Sequence, residues 1–158
     1  MAQVSSNLLI AALVVVEQAD KILLVQEAKA ECRGKWFLPG GRMTGAESVV
    51  ETAVREAKEE SGIGVELFGL LYVDELLDAR DGSTAHRLRF VFVAKPVGGQ
   101  LKQEEDEHSL AADWFSSSEL EGLDTRSPLV ARMVALHERR PGLLPISSFR
   151  LLSGNERG

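Results

Sequence analysis

Glu56, Glu59 and Glu60 crowd three carboxylates into five residues, with Arg55 and Lys58 beside them. Gly41-Arg-Met-Thr44-Gly-Ala-Glu47 precedes the cluster and Ser61-Gly62-Ile63 follows it. The spacing predicts one helix from Glu47 to Ser61, with Thr44 and Glu47 placed as a capping box and Gly62 as the stop. At about 100° per residue, Val49, Val50, Ala53, Val54 and Ala57 gather on one apolar stripe, while Glu47, Glu51 and Arg55 face water. Counted from Glu47, Glu56 falls at about 180° and Glu60 at about 220°, bordering that stripe. Both also sit in the last turns of the helix, where its dipole disfavours negative charge. Burying an unpaired carboxylate costs on the order of several kcal/mol, so positive charge must compensate. Arg55 and Lys58 can screen the outer side, and clustered hard oxygens otherwise take a divalent cation. A solvated, charge-rich helix is the alternative. The glutamates' place beside the apolar stripe, after a glycine turn, favours the cation.

Gly41, Glu47, Arg55-Glu56, Ala57, Glu59-Glu60, Gly62 and Ile63 follow the pattern G-x5-E-x7-R-E-U-x-E-E-x-G-U. The segment resembles the Nudix box; Ala57 stands where that family usually has a larger aliphatic residue. Nine fixed positions in a 23-residue window make the match specific. The resemblance implies an α+β fold of the Nudix type: an α/β/α sandwich around a mixed sheet, with the box as loop–helix–loop. It also implies an enzyme that hydrolyses a nucleoside diphosphate linked to another moiety, by water attack on phosphorus with Mg²⁺, or Mn²⁺ in its place. Such phosphoryl transfer is mostly positioning and charge neutralisation, which metal ions supply while activating water.

Carried over by position, Glu56 and Glu60 are the principal metal ligands, with Glu59 a further ligand, directly or through water. The carbonyl of Gly40 is another. Arg55 pairs with the glutamates and orients them. Glu47 has two readings, a capping residue or a carboxylate supporting Arg55 and the metal. Several family members take their general base from a later loop, which here offers Glu104, Glu105, Asp106 and Glu107. Glu107 is the choice, because family members place an acidic residue shortly before a Trp-Phe strand; a solvated acidic loop is the alternative.

Gln26 to Met43, including Glu31-Cys32-Arg33-Gly34, is similar to the animal Nudix branch that hydrolyses 8-oxo-guanine nucleoside diphosphates. That branch tends to have Ala in place of Gly40. The likeness covers about the first two-thirds of the chain and is strongest from Leu24 to Ile63. Trp36 and Phe37 are candidates to stack on a base, with core packing as the alternative, and Arg33, Lys35 and Arg89 are candidates to meet phosphates. ADP-ribose or a dinucleoside polyphosphate is the alternative substrate. A non-hydrolysing nucleotide-binding domain is the rival from another class; such domains normally lose box carboxylates, and this chain keeps all of them.

The 158 residues suit one domain with a sizeable core, and 44% hydrophobic with 27% charged residues excludes wholesale disorder. A net charge of -6 argues against a nucleic-acid polymer as partner, but not against a small phosphate substrate. The single cysteine, Cys32, excludes an internal disulfide and fits a reducing compartment. Leu8 to Val16 has no preceding Lys or Arg and is too short to span a bilayer, so it reads as a buried strand in a cytoplasmic protein without membrane contact.

The chain order supports these elements. Leu8 to Val16 and Lys21 to Gln26 read as neighbouring strands, Trp36-Phe37-Leu38 as a short strand, and Pro39-Gly40-Gly41 as a turn. Val65 to Leu76 and Arg87 to Lys95 are further strands, joined by a loop over Asp78 to Ala85, and Pro96-Val-Gly98-Gly99 turns the chain. Asp113-Trp114-Phe115 is strand and Ser116 to Leu120 a helical turn, while Ser127-Pro128 starts a helix that ends before Pro141-Gly142. One domain over residues 1–142 is followed by a tail, residues 143–158. The tail is apolar from Leu143 to Phe149, where it can serve a homodimer, and frayed from Ser153 to Gly158.

Overall fold

The aliphatic run near the start forms β1 (Asn7–Gln18), and its side chains alternate between two cores. Ala12, Val14 and Val16 point one way, packing with Leu23, Val25, Phe92 and with Ala53 and Ala57 of helix α1 (Val49–Ser61). Leu13 and Val15 point the other way, onto Ile22, Leu24, Phe37, Leu38 and Val91. Val130, Met133 and Val134 of helix α3 (Leu129–Glu138) complete that second core. A strand covered on both faces needs apolar residues at every step, hence the unbroken run. The computed structural model describes residues 7–80 and 83–150, with side chains for 8–77 and 85–150. It has the mixed sheet between helices that the box implies.

β1 and β2 (Lys21–Glu27) pair only beside their turn, at Glu17↔Ile22 and Gln18↔Lys21, and then part. β2 continues antiparallel to β3 (Trp36–Phe37) and to β7 (Ser109–Ser116), which leads into the short helix α2 (Ser117–Leu120). β1 takes β4 (Gly40–Arg42) antiparallel on one side and β6 (Ser83–Gly99) parallel on the other. β5 (Ile63–Arg80) lies antiparallel to β6 and closes the sheet.

Several elements differ from the sequence expectation. Helix α1 starts at Val49, and its capping box is Ser48 with Glu51 rather than Thr44 with Glu47. Glu47 still accepts from Thr44 N at 2.8 Å, but its carboxylate is turned to Arg55. Val54 is 37% exposed and Thr52 takes its place inside, with Oγ1 donating to the Ser48 carbonyl. Gly62 ends the helix in the left-handed region at φ 80°, as expected. Gly40-Gly41 is strand rather than turn, pairing with Leu13 and Ala12. Pro96 to Gly99 continues β6 instead of turning, because the partner strand keeps step through register shifts near Gly64 and Val65. The expected loop over Asp78 to Ala85 is strand as far as the Arg80↔Ser83 pair; Asp81-Gly82 lies outside the described residues. Helix α3 begins at Leu129, one residue beyond the expected proline start, and Leu129 N donates to Ser127 Oγ.

The apolar tail packs on its own sheet. Leu70 and Leu144 exchange backbone hydrogen bonds at 2.8 and 3.2 Å, and Phe149 stands edge-on to Phe92. Ser153 to Gly158 lies outside the described residues. Among the described residues no helix is long and apolar enough to cross a membrane.

At the far end of β1, Arg140 donates to both oxygens of Glu17 (2.7 and 2.9 Å), and His137 Nε2 lies 3.0 Å from the same carboxylate. Chiefly through Arg140, these partners hold the Glu17 carboxyl at about 2, below its ordinary 4.5. Their stabilisation is therefore present above about pH 4.5 and is lost as pH falls toward 2. Glu17→Gln is expected to flatten the fall in melting temperature between pH 5 and pH 3. An unchanged acid limb in the variant refutes the assignment.

Candidate active site

Helix α1 presents its glutamates to the β4 strand because the turn Met43 to Glu47 folds the helix back over the glycines. A Cβ on Gly41 would collide with the Glu56 carboxylate, so that carboxylate lies directly on the glycine backbone. One turn on, Glu60 Oε2 accepts from Gly40 N at 2.9 Å. Two carboxylates thus converge on Gly40-Gly41: Gly41 must lack a side chain to admit Glu56, whereas at Gly40 it is β1 that leaves no room, since a Cβ there would run into Ala12 and Leu13.

Arg55 organises the outer side. Its Nε and Nη2 clasp both oxygens of Glu47 at 2.8 and 2.7 Å. Nη1 donates to Glu56 Oε1 at 3.0 Å and Glu59 Oε2 at 2.8 Å, and Nη2 also reaches the Arg42 carbonyl. These contacts occupy all five guanidinium N–H groups, leaving none for a substrate. Arg55 holds the Glu47 carboxyl down at about 2, and Glu47 in turn raises Arg55 above its ordinary value. Glu47 therefore serves Arg55 while also accepting from Thr44. Lys58 donates to the Gly62 carbonyl and covers the helix C-terminus.

Glu60 is in the opposite condition. It is 8% exposed, and the Gly40 N–H is the donor at its carboxylate. Burial, reinforced by the charges of Glu56 and Glu27, pushes its carboxyl up to about 8. Among the described residues no three acidic, histidine or cysteine side chains form a cluster that could hold a metal ion. Yet Glu56, paired on one side with Arg55, and the buried Glu60 offer hard oxygens at Gly40-Gly41, a donor set that fits a divalent cation.

The remaining candidates are spread around this centre. Glu107 points into solvent with His108 beside it, on the loop leading to Ser109, whose Oγ donates to the Glu60 carbonyl. Arg33 approaches Glu105 at 3.7 Å and Lys35 approaches Asp124 at 3.6 Å, both at the surface. Trp36 is half-buried and edge-on to Phe115. Phe37 is core, and Arg89 is clasped by Asp74 at 2.6 and 2.8 Å.

Sequence reasoning passed over Glu27 and Arg126. Glu27 is 6% exposed, and Arg126 Nη1 donates to its Oε1 at 2.7 Å across 99 residues of chain. The Arg126 guanidinium also lies 4.9 Å over the Phe37 ring. A signal for Glu27 existed: it continues the Leu23, Val25 alternation of a buried strand. Arg126, a loop residue, carried none.

Comparison with known proteins agrees with this geometry: the NUDIX domain profile matches residues 7–136. The chain belongs to the Nudix family. It is 47% identical over 109 residues to the human 8-oxo-dGDP phosphatase NUDT18, covering 68% of this chain and 32% of that protein. It is 35% identical over 106 residues to an ADP-ribose pyrophosphatase of Methanocaldococcus jannaschii, covering 67% of this chain and 60% of that one. This Nudix chain spans about a third of the length of its NUDT18 relatives. Its fold superposes on a NUDIX hydrolase from Nitrosomonas europaea with a TM-score of 0.79 and 27% identity, covering 95% of this chain and 99% of the other.

Proposed function

We propose that this Nudix domain is a Mg²⁺-dependent nucleotide pyrophosphatase, with Mn²⁺ as a substitute, whose substrates are oxidised guanine nucleotides of the 8-oxo-dGDP kind. The observation that carries the reading is the convergence of Glu56 and Glu60 on Gly40-Gly41, with Glu60 buried and its carboxylate accepting from the Gly40 N–H. Glu56, Glu60 and the Gly40 carbonyl would hold the ion, with Glu59 completing the set directly or through water. When bound, the ion neutralises phosphate charge and makes water a better nucleophile. Arg55 keeps Glu56 and Glu59 in place, and Glu47 keeps Arg55 in place. Glu107 is the general base of this reading, on the loop that Ser109 ties to the end of helix α1. Likeness to NUDT18 supports the oxidised guanine substrate. Likeness to an ADP-ribose pyrophosphatase supports the second reading, ADP-ribose. The single cysteine supports a reducing, cytoplasmic setting.

The test is hydrolysis across 8-oxo-dGDP, 8-oxo-dGTP, dGTP, ADP-ribose and diadenosine polyphosphates, with and without Mg²⁺. Preferred turnover of 8-oxo-dGDP that disappears on chelation and returns with Mg²⁺ is expected. Preference for ADP-ribose keeps the enzyme class and discards the substrate. No metal-dependent hydrolysis of any member overturns the reading.

A further inference from the structure

The Glu27–Arg126 pair stands beside the box carboxylates without being part of them. Glu27 lies opposite Ser109 in the β2–β7 ladder, and Ser109 Oγ donates to the carbonyl of Glu60. Arg126 lies over Phe37, three residues ahead of Gly40, and its backbone N–H donates to the Trp36 carbonyl at 2.9 Å. The arginine is thus fixed at two points to the segment that leads into the site, and at a third to Glu27 at the end of β2. Its partner Glu27 is sealed, with 7% of the side chain exposed, but the Arg126 side chain is 40% exposed. One Nη1 donor is engaged with Glu27, and the guanidinium keeps further donors toward solvent.

We infer that Arg126 is a specificity-determining residue that donates hydrogen bonds to a carbonyl-bearing edge of the substrate's nucleobase, with Glu27 as its positioning residue. The inference rests on the nucleotide reading of the site. The ion pair favours a base over a phosphate. Glu27 cancels the charge that would draw a phosphate, but leaves the planar donor fork and its direction intact. The surroundings are also flat and aromatic: the guanidinium rests on Phe37, and Trp36 is its half-buried neighbour. Exposed Arg donors beside the half-buried Trp36 suit the O6 carbonyl that guanine and 8-oxo-guanine share and that adenine replaces with an amino donor.

The experiment measures binding of non-hydrolysable α,β-methylene diphosphates of 8-oxo-deoxyguanosine, deoxyguanosine and deoxyadenosine in Mg²⁺, using the full chain. Arg126→Ala is expected to weaken the two oxo-purine ligands by about 10- to 100-fold and the adenine ligand by less than about 3-fold, as loss of a charged hydrogen bond implies. Arg126→Lys is expected to keep the melting temperature and still lose the discrimination, since an ammonium lacks the fork. Because Arg126→Ala strands a buried carboxylate, the Glu27→Gln, Arg126→Ala double variant serves as the folded control and is expected to show the same selective loss. Equal weakening for all three bases, or none, overturns the inference, as does failure of the wild-type chain to bind any analogue. If the wild-type chain binds the analogues but hydrolyses no nucleotide, the proposed activity falls while the base-selective pattern still decides Arg126.

Discussion

Glu56→Gln and Glu60→Gln are each expected to lower turnover by at least about 100-fold, on the scale of losing an ion-binding carboxylate, with the fold intact. The Glu60 variant has a second signature. Gln keeps an acceptor for Gly40 N–H and removes a buried charge, so the metal-free melting temperature should hold or rise. The sign follows from the raised carboxyl. A folded value of about 8 against 4.5 means the folded state holds the proton more tightly, so metal-free wild type loses stability as pH rises from about 4.5 toward 8. Glu60→Gln should remove that decline. Near-wild-type turnover in both variants, measured at saturating Mg²⁺, would remove the two glutamates from the chemistry.

Arg55→Ala is the second large effect, and it should damage stability and activity together. One guanidinium meets Glu47, Glu56 and Glu59, so its loss leaves three carboxylates beside Glu60 without their common counter-ion. The expected destabilisation is about 2–4 kcal/mol, discounted because the arginine side chain is 31% exposed. Turnover should fall by more than about 10-fold as Glu56 and Glu59 lose their anchor. Arg55→Lys should recover little, because one ammonium cannot replace a two-point clasp on Glu47 and also reach Glu56 and Glu59. Chemical denaturation and steady-state kinetics check both halves. A Lys variant with wild-type turnover would show that charge, not geometry, is what Arg55 supplies.

The parts legible in the sequence were those with a period or a fixed spacing. The apolar run of β1, the alternation of β2 and the Gly41 to Ile63 pattern announced the sheet and the site helix. Helix end and helix start fared differently for a physical reason. Gly62 is suited to its left-handed φ, whereas Thr44-Glu47 and Ser48-Glu51 are both capping boxes by spacing. The structure starts the helix on Ser48-Glu51 and leaves Glu47 shared between Thr44 and the distant Arg55, a contact that local spacing does not announce. Gly40-Gly41 read as a turn because glycine pairs usually are, and its pairing with β1 depends on residues nearly thirty positions earlier. The side chains outside the box were harder still. Arg89 looked available until the neighbouring strand supplied Asp74, and Arg126 acquired its role from Glu27 and Phe37, which no local pattern links to it.

The parallel pairing of β1 with β6 has a consequence for how the protein comes into being. Val14 meets Phe92 and Leu13 meets Val91, so the central ladder joins segments nearly eighty residues apart, with the glutamate helix emerging between them. Loop-closure entropy opposes such long-range contacts until much of the chain is in place, which makes sheets of this kind slow to nucleate. The helix can wind early, but Gly40-Gly41, against which its carboxylates rest, gains a rigid backing only once β1 is fixed. During refolding, the proposed ion site therefore trails helix formation and is complete only with the closure of the sheet.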